Sequence, residues 1–291
     1  WVDLSDQGLD EKLILRSDGT AVYITQDIGT AVQRQEDFNF SHMIYTVGNE
    51  QDYHFKVLFL ILKKLGYKWS KNCHHLSYGM VDLPSGKMKS REGTVIDADD
   101  LIREMIKTAK DIAQELGKTK QLKSIDIDNL YQKVGMGALK YFLLKVDPKK
   151  RMLFDPKESI DFNGNTGPFI QYTYARIQSL LRKNDILIKN LKTISISKNE
   201  KELIKKILDL PHTINLSAKE YNPSLLANYI YDLTKEYNSY YQSVSILNVD
   251  NIDLKIIRLS ISEMVGRVIR TSIRGLPRSD RGTSSAPHSL P

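Results

Sequence analysis

The stretch MIYTVGNEQDYHFKVLFLILKKLGYKWSKNCHHLSYGMV, residues 43–81, decides the fold class. Residues 43–47 and 76–81 are rich in β-branched and aromatic side chains, which predicts two strands. Between them the apolar spacing predicts a helix over about residues 54–65, closed by Gly66. A strand–helix–strand order implies parallel strands joined by a right-handed crossover, so we expect an α/β sheet.

The residues before this unit also alternate between polar and β-like runs. An Asp-Gly turn at residues 18–19 separates two further predicted strands, 13–15 and 21–24, and its composition is typical of a hairpin turn. Residues 23–27 are expected to end the second strand and to open a helix. Ligands bind at the carboxyl ends of strands in open α/β sheets, so Asp27 is a candidate carboxylate for a guanidinium or ammonium group. Capping of the helix by Asp27 is the competing interpretation.

From residue 97 onward the apolar spacing becomes helical. Helices are predicted at about residues 101–116, 131–146, 167–183, 200–210, 222–243 and 253–273, with a polar connector at 184–199. Gly135 and Gly137 fall inside the second of these helices, where small residues indicate close helix packing. The C-terminal part is therefore predicted to be an all-α bundle.

The organisation that we predict has four parts. Residues 1–94 form the α/β part, residues 95–163 a helical connecting segment, and residues 164–274 a helical domain. Residues 275–291 contain glycine, proline and serine without apolar periodicity, and we expect a disordered, non-native tail without a role. The chain begins at Trp1 and is expected to be a fragment or a processed chain.

The composition limits the partners and the cofactors. The 291 residues carry a formal net charge of +7 with a pI near 9.1, which suits a polyanionic partner. The single Cys73 excludes an internal disulfide and fits a reducing compartment, and no Cys/His cluster has zinc spacing. Without such a cluster we expect no structural metal. No apolar run approaches the ~20 residues of a membrane span, so we expect no membrane partner.

Two further segments could carry chemistry. Residues 86–93, GKMKSREG, place three cations within five residues between glycines, and such a loop can surround a polyphosphate. A solvated surface hairpin is the alternative for an isolated basic loop. At the strand-to-helix junction VGNEQDYH, residues 47–54, Gln51 offers a neutral donor and acceptor, and His54 could cap the loop or touch a phosphate.

Together these motifs resemble the arginyl-tRNA synthetase family of class I aminoacyl-tRNA synthetases. Residues 15–27 (LRSDGTAVYITQD) and 47–55 (VGNEQDYHF) are similar to two of its strand-to-helix motifs, although Gln26 stands where many members carry Arg. Residues 86–93 resemble its form of the Lys-Met-Ser-Lys-Ser loop, and residues 154–176 resemble the entry to its helical anticodon-binding domain. The resemblance covers roughly residues 1–273.

The resemblance implies a fold and a reaction. The fold is the second half of a Rossmann-like nucleotide-binding domain followed by an all-α anticodon-binding domain. The reaction is the ATP-dependent activation of arginine, with magnesium accompanying the ATP, and the transfer of the arginyl group to tRNA(Arg) in the cytoplasm. Tyr23, Asp27 and Gln51 are expected to line the arginine pocket, with Asp27 receiving the guanidinium.

The resemblance also implies the phosphate contacts, and the cations and tyrosines of the helical part are candidates for tRNA contacts. The cations expected to stabilise charge on the ATP phosphates are Lys87, Lys89 and Arg91. Further ATP contacts are expected from His54, Met88 and Ser90. For tRNA we expect Arg176, Arg182 and Arg267 to contact the polyanion, and Tyr240, taken as exposed, to stack on an unpaired anticodon base. Core aromatics and solvated charges are the alternative interpretation of these four residues.

One departure from the family affects the expected activity. The His-Ile-Gly-His motif of the first half of the class I domain is absent from these 291 residues. We therefore expect the C-terminal half of an enzyme that carries half an active site and is inactive alone. A non-catalytic tRNA-binding module is the alternative. A cysteinyl synthetase is disfavoured because it would need soft zinc ligands and only one cysteine is present.

Overall fold

The protein is described by a computed structural model that covers residues 1–82, 97–115, 124–182 and 195–275. It contains two compact units, Trp1–Met80 with Pro148–Met152, and Val81–Asp147 with Leu153–Pro291. The predicted basic loop at 86–93 lies outside the described residues. Residues 276–291 of the predicted tail and residues 184–194 of the predicted connector lie outside them as well.

The first unit is built around two parallel strands that flank a helix. Its helices and strands are α1 (Tyr23–Phe38), β1 (Met43–Gly48), α2 (Asp52–Lys64) and β2 (Cys73–Tyr78), with 3₁₀ turns at Ser5–Gln7, Asn49–Gln51 and Lys68–Asn72. β1 pairs with β2 in parallel, from Met43 opposite Cys73 to Gly48 opposite Tyr78. The predicted strand–helix–strand unit with parallel strands is confirmed.

Helix α2 forms the core of this unit because its apolar residues face two directions. Phe55, Leu58 and Leu62 are buried in one cluster with residues of α1 and β1. Val57 and Ile61 are buried on another side, against Leu4 of the N-terminal segment. The chain then turns at a glycine, Gly66, whose φ of +88° is a conformation that side-chain-bearing residues rarely adopt.

The strands predicted at 13–15 and 21–24 are wrong. Leu15 and Ala21 form a single antiparallel bridge around the Asp-Gly turn, and α1 already begins at Tyr23 with Val22 at its N-cap. The β-branched residues of this segment suggested a strand, but Ile24 instead packs as part of a helix against the apolar clusters around α2. Tertiary packing of an amphipathic helix outweighs such local propensity.

The second unit is helical. Two short strands lie at its limits along the chain: β3 (Val81–Asp82) at its beginning, and β4 (Met152–Leu153), whose first residue belongs to the first unit. The helices of the second unit are α3 (Ala98–Glu115), α4 (Ser124–Leu144), α5 (Pro156–Ser159), α6 (Gly167–Arg182), α7 (Lys198–Leu208), α8 (Leu210–Lys219), α9 (Pro223–Ser243) and α10 (Ile252–Gly275). The predicted helices are confirmed within a few residues, except that α4 begins seven residues before the predicted start at 131. Helix α8 was missed because Pro211 suggests a helix end, although proline is tolerated in a first turn.

The predicted role of Gly135 and Gly137 in close packing is confirmed. A Cβ on Gly135 would lie 2.9 Å from the carbonyl oxygen of Met105 in α3. A Cβ on Gly167, the first residue of α6, would lie 2.4 Å from the carbonyl oxygen of Gly137 in α4. Hydrogen at these positions is what lets α4 approach α3 and α6 so closely. The core that contains α9 is formed by buried side chains of five helices, α4, α6, α7, α9 and α10, among them Leu203, Ile230, Leu233, Tyr237 and Val265.

Candidate functional site

The first unit has one short polar contact between its two helices. Nε2 of His54 in α2 lies 2.6 Å from Oδ2 of Asp27 in α1. The Asp27 side chain is 45% exposed and that of His54 is 26% exposed, so a ligand can reach the carboxylate while the imidazole is largely enclosed. Asp27 lies inside α1 rather than at its cap, so the capping interpretation of this residue is wrong.

Helical spacing brings the other two predicted pocket residues toward this contact. Tyr23 precedes Asp27 by four residues in α1, and residues four apart share one helix face. Gln51 is the N-cap residue of α2 and precedes His54 by three, so both lie at the beginning of the same helix. The tyrosine is 82% exposed and Gln51 is exposed as well. The contact between Asp27 and His54 therefore joins the N-terminal parts of two helices, and these parts carry all four residues that were predicted to bind arginine or ATP, Tyr23, Asp27, Gln51 and His54.

The imidazole of His54 rests on an aromatic support. Its ring meets Phe55 edge to face at 5.6 Å, and Phe55 stacks on His75 of β2 at 4.3 Å between ring centroids. Nε2 of His75 lies 3.0 Å from the carbonyl oxygen of Val47, and its Nδ1 lies 3.3 Å from the Asp52 carboxylate. The ring contacts thus link His54 through Phe55 to His75 of β2, and both ring nitrogens of His75 have polar partners.

A contact between Arg34 of α1 and Tyr45 of β1 was not found from the sequence. The ring of Tyr45 in β1 lies under the Arg34 guanidinium, 5.8 Å from it. Burial is the main cause that raises the pKa of the Tyr45 hydroxyl, with smaller contributions in the same direction from Cys73 and Asp27, while Arg34 lowers it. Arg34 follows Asp27 by seven residues, which places both on one face of α1. That spacing was readable in the sequence but was hidden by the wrong strand prediction.

The five loop residues predicted to contact ATP lie beyond the part of the chain that the structure describes. These residues are Lys87, Met88, Lys89, Ser90 and Arg91. Of the residues predicted to contact ATP, only His54 is described, and its Nε2 faces the Asp27 carboxylate.

In the second unit Arg176 of α6 is enclosed by two aromatic rings. Its guanidinium carbon lies 5.0 Å from the ring of Tyr172 and 5.2 Å from that of Tyr241. Nη1 of Arg176 donates a 2.8 Å hydrogen bond to Oδ1 of Asn238, whose Nδ2 donates at 2.7 Å to the Thr173 hydroxyl. The spacing of Tyr172 and Arg176, four residues apart on one helix, was the sequence signal for this pair.

A cavity of about 390 Å³ opens beside this arginine. The residues that line it are Tyr172, Ala175, Arg176, Ser179, Leu180, Tyr241 and Leu247. Tyr172 is 45% exposed, so the cavity presents an aromatic side chain beside a guanidinium that is held by Asn238. Such a set can hold a planar base by stacking and by hydrogen bonding.

The expectation that Tyr240 is exposed is wrong. Its side chain is 2% exposed and its hydroxyl lies 3.3 Å from Oε1 of the buried Glu200, so the ring belongs to the core and has no face free for stacking. Arg182 is exposed at the end of α6. Arg267 is also exposed, and its Nη2 lies 2.6 Å from the Glu263 carboxylate.

The described residues contain no group of three or more His, Cys, Asp or Glu side chains placed to hold a metal ion. Among the helices in the same residues, none has both the length and the apolar character that a bilayer crossing requires.

Two family models match the chain, and together they cover nearly all of it. The model described as tRNA synthetases class I (R), catalytic domain, matches residues 2–155. The model described as DALR anticodon binding domain matches residues 170–276. The Asp27–His54 contact lies in the first match and the cavity beside Arg176 lies in the second.

Known proteins with related sequences and structures carry matching names. An arginine–tRNA ligase from Flavobacterium psychrophilum is 59% identical over 94% of this chain and 45% of its own length. An arginyl-tRNA synthetase structure from Thermus thermophilus has a TM-score of 0.81 at 25% identity, covering 91% of this chain and 50% of that one. The Plasmodium falciparum arginyl-tRNA synthetase has a TM-score of 0.76 at 26% identity, covering 90% of this chain and 45% of that one. This chain therefore spans about half the length of the relatives that it matches.

Proposed function

Because this chain belongs to the arginine (R) family of class I tRNA synthetases, we propose that it is the C-terminal portion of an arginine–tRNA ligase. The family match extends over residues 2–155, and the chain covers 45% of its Flavobacterium relative. In this proposal the substrates are arginine, ATP with its magnesium ion, and tRNA(Arg). The compartment is the cytoplasm.

The observation that carries the proposal is the placement of Asp27. Its carboxylate is half-exposed, lies one helical turn from Tyr23, and contacts His54, which lies one turn from Gln51. A carboxylate beside a phenol and an amide can bind a planar cation through charge-assisted hydrogen bonds and ring contacts. We propose that the arginine side chain is held here, with its guanidinium on Asp27.

The ATP contacts extend the proposal to the loop at residues 86–93. Lys87, Lys89 and Arg91 are proposed to stabilise the charge that develops on the phosphates as pyrophosphate leaves, which is an electrostatic role without a covalent intermediate. Met88 and Ser90 are proposed to contact the nucleotide. The support for these assignments is the order of the motifs in the sequence and the family match over residues 2–155.

The helical unit is proposed to bind the anticodon end of tRNA. The DALR match over residues 170–276 and the enclosed guanidinium of Arg176 support this role. An unpaired base would enter the 390 Å³ cavity, stack on Tyr172 and accept hydrogen bonds from Arg176. Arg182 and Arg267 are exposed cations that could meet the phosphate backbone.

The division of labour in the proposal follows the predicted domains. Residues 1–94 supply half of the catalytic site, residues 95–163 connect, residues 164–274 bind tRNA, and residues 275–291 have no role. Because the His-Ile-Gly-His motif is absent from the chain, we propose that the chain alone does not activate arginine.

The test of the catalytic proposal is arginine-dependent exchange of pyrophosphate into ATP. We expect exchange from the full-length gene product, none from residues 1–291 alone, and loss of exchange in the full-length D27N variant. Exchange by the full-length protein that depends on an amino acid other than arginine would contradict the substrate assignment. Absence of any exchange, together with binding of tRNA, would favour a non-catalytic tRNA-binding module. Robust exchange from the 291 residues alone would refute the proposed inactivity.

The test of the tRNA proposal uses two arginine variants of the second unit. R176A removes the guanidinium between the two tyrosines, whereas R103A removes an exposed arginine that lies beside Asp100 on α3. We expect R176A to weaken tRNA(Arg) binding by about tenfold, the lower end of the effect of losing one base contact, and R103A to leave it within about twofold. Equal effects of the two variants would reduce the role of Arg176 to nonspecific charge.

A further inference from the structure

We propose that His54 is a positioning residue for the arginine pocket: it holds Oδ2 of Asp27 and leaves Oδ1 to receive the guanidinium. The inference rests on the proposed function of Asp27 and adds to it a residue that the sequence had assigned to ATP. It also changes the expected geometry of recognition, because a symmetrical fork on both carboxylate oxygens would have to share Oδ2 with the imidazole.

The contact between His54 and Asp27 is a hydrogen bond with a defined donor and acceptor. An ionised carboxylate can only accept hydrogen bonds, so the Nε2 atom that lies 2.6 Å from Oδ2 acts as an N–H donor. A separation this short is characteristic of hydrogen bonds in which one partner is charged. The bond fixes the plane of the carboxylate, whose torsion angle is otherwise soft because it joins sp³ and sp² carbons.

The surroundings hold the His54 imidazole, the donor, more firmly than the Asp27 carboxylate, the acceptor. His54 is 26% exposed and meets Phe55 edge to face, and Phe55 itself is only 7% exposed. Phe55 in turn stacks on His75, which hydrogen-bonds to the backbone of β1. Asp27 is 45% exposed on a helix surface. The imidazole is therefore fixed relative to the sheet, and its hydrogen bond restricts a carboxylate that would otherwise sample several rotamers.

The residues around the Asp27 carboxylate determine the direction from which a ligand can approach it. Tyr23, one turn before Asp27 in α1, is 82% exposed, so the side of the carboxylate toward Tyr23 is open. The side toward α2 is occupied by the imidazole. A planar cation that approaches past Tyr23 meets a carboxylate whose second oxygen is already held. Less conformational entropy is then lost on binding, which is the general benefit of a preorganised site.

The experiment measures pyrophosphate exchange with the full-length protein and two His54 variants. H54F keeps a flat ring without a donor, and H54Q keeps an N–H donor at a similar distance from the backbone. We expect H54F to raise the KM for arginine by about tenfold, as for the loss of one charge-assisted hydrogen bond, with kcat and the KM for ATP changed by less than about threefold. We expect H54Q to restore most of the arginine KM.

Several outcomes would overturn the inference. A rise in the KM for ATP without a rise for arginine would return His54 to a nucleotide contact. An equal loss of kcat in both variants, with unchanged KM values, would make the residue merely structural. In the D27N background the H54F change should have no further effect on the equilibrium dissociation constant for arginine, and an additive effect would also contradict the positioning role.

A second measurement does not depend on the folding of the His54 variants. In the full-length wild-type protein with labelled histidines, the Nε2 resonance of His54 should report a hydrogen bond to a carboxylate and should shift on addition of arginine. In D27N it should do neither. A wild-type resonance typical of a solvated imidazole would refute the inference. If instead the hydrogen bond is present but arginine produces neither a shift nor exchange, the proposed function fails separately from the geometry.

Discussion

Removal of Arg258 from the helical unit tests how the C-terminal helices are held together. Nε of Arg258 in α10 lies 2.9 Å from Oε1 of Glu200, whose side chain is 1% exposed, whereas the arginine is 16% exposed. The variant R258M keeps an apolar chain of good helix propensity and leaves the buried carboxylate without its cation. The change therefore isolates the charge and its hydrogen bonds from the packing of the stem.

The expected cost is about 3 kcal/mol in the free energy of unfolding of the helical unit. Breaking a buried ion pair by removing one partner costs about 3–5 kcal/mol, because an uncompensated charge remains buried. Glu200 keeps its hydrogen bonds from the Ser197 N–H at 2.7 Å and from the Tyr240 hydroxyl at 3.3 Å, which places the loss at the lower end of this range. For a unit of this size the loss corresponds to a fall in Tm of roughly 6–12 °C.

The matched control is R267M on the same helix. Arg267 pairs with Glu263 at 2.6 Å, but its side chain is 68% exposed, so the pair is worth less than about 0.5 kcal/mol. Urea unfolding is followed by far-UV circular dichroism for the helices and by tryptophan fluorescence, since both tryptophans, Trp1 and Trp69, lie in the first unit. R258M should shift only the transition seen by circular dichroism. A loss no larger than that of R267M would refute the reasoning.

Three further predictions concern pH, packing and thiol reactivity. Burial alone would raise the pKa of Glu200, but the Ser197 N–H and the Arg258 guanidinium outweigh it and hold the pKa below its ordinary value of 4.5. The ionised carboxylate therefore stabilises the fold above pH 4.5, and this stabilisation is lost as the pH falls through the folded-state pKa. The free energies of urea unfolding of E200Q and wild type should accordingly converge in acid. G167A should destabilise the helical unit by about 1–3 kcal/mol because its Cβ would meet the Gly137 carbonyl oxygen at 2.4 Å. In the control G29A in α1, the new Cβ has nothing within 4 Å, and the variant should be more stable by about 0.5–1 kcal/mol in the same assay. Equal effects of the two variants would contradict the role of close packing at Gly167. Burial raises the pKa of the Cys73 thiol from 9.0 to about 11, so iodoacetamide should alkylate it about a hundredfold more slowly at neutral pH than in the unfolded chain, and a comparable rate in both states would show the thiol to be open.

Motif spacing and hydrophobic periodicity predicted most of the architecture. The parallel pairing of β1 with β2 follows from two β-rich runs around an apolar helix, and α9 follows from Pro223 and the apolar face behind it. Both predictions rest on patterns of consecutive residues, although the strands that pair lie far apart along the chain, with Met43 opposite Cys73. The family resemblance followed from the same kind of information, and the match over residues 2–155 agrees with it.

Residues 21–24 show where local reasoning failed. Their β-branched composition favours a strand in isolation, but α1 begins at Tyr23, and Ile24 packs its apolar side chain against α2, which lies more than twenty residues further along the chain. The burial of Tyr240 was unpredictable for a similar reason, because its partner Glu200 is 40 positions away in sequence. Burial of this kind depends on which helices pack together, and propensity carries no information about that.

The sequence by itself determined the parallel unit, the helical bundle and the residue types of the candidate pocket, because strand and helix periodicities and strand-to-helix junctions are written in consecutive residues. Only the tertiary structure decided that Asp27 meets His54, that Arg176 lies between two tyrosines, and that Tyr240 belongs to the core. The physical reason is that these contacts join separate helices, and their geometry is set by the apolar packing that brings those helices together.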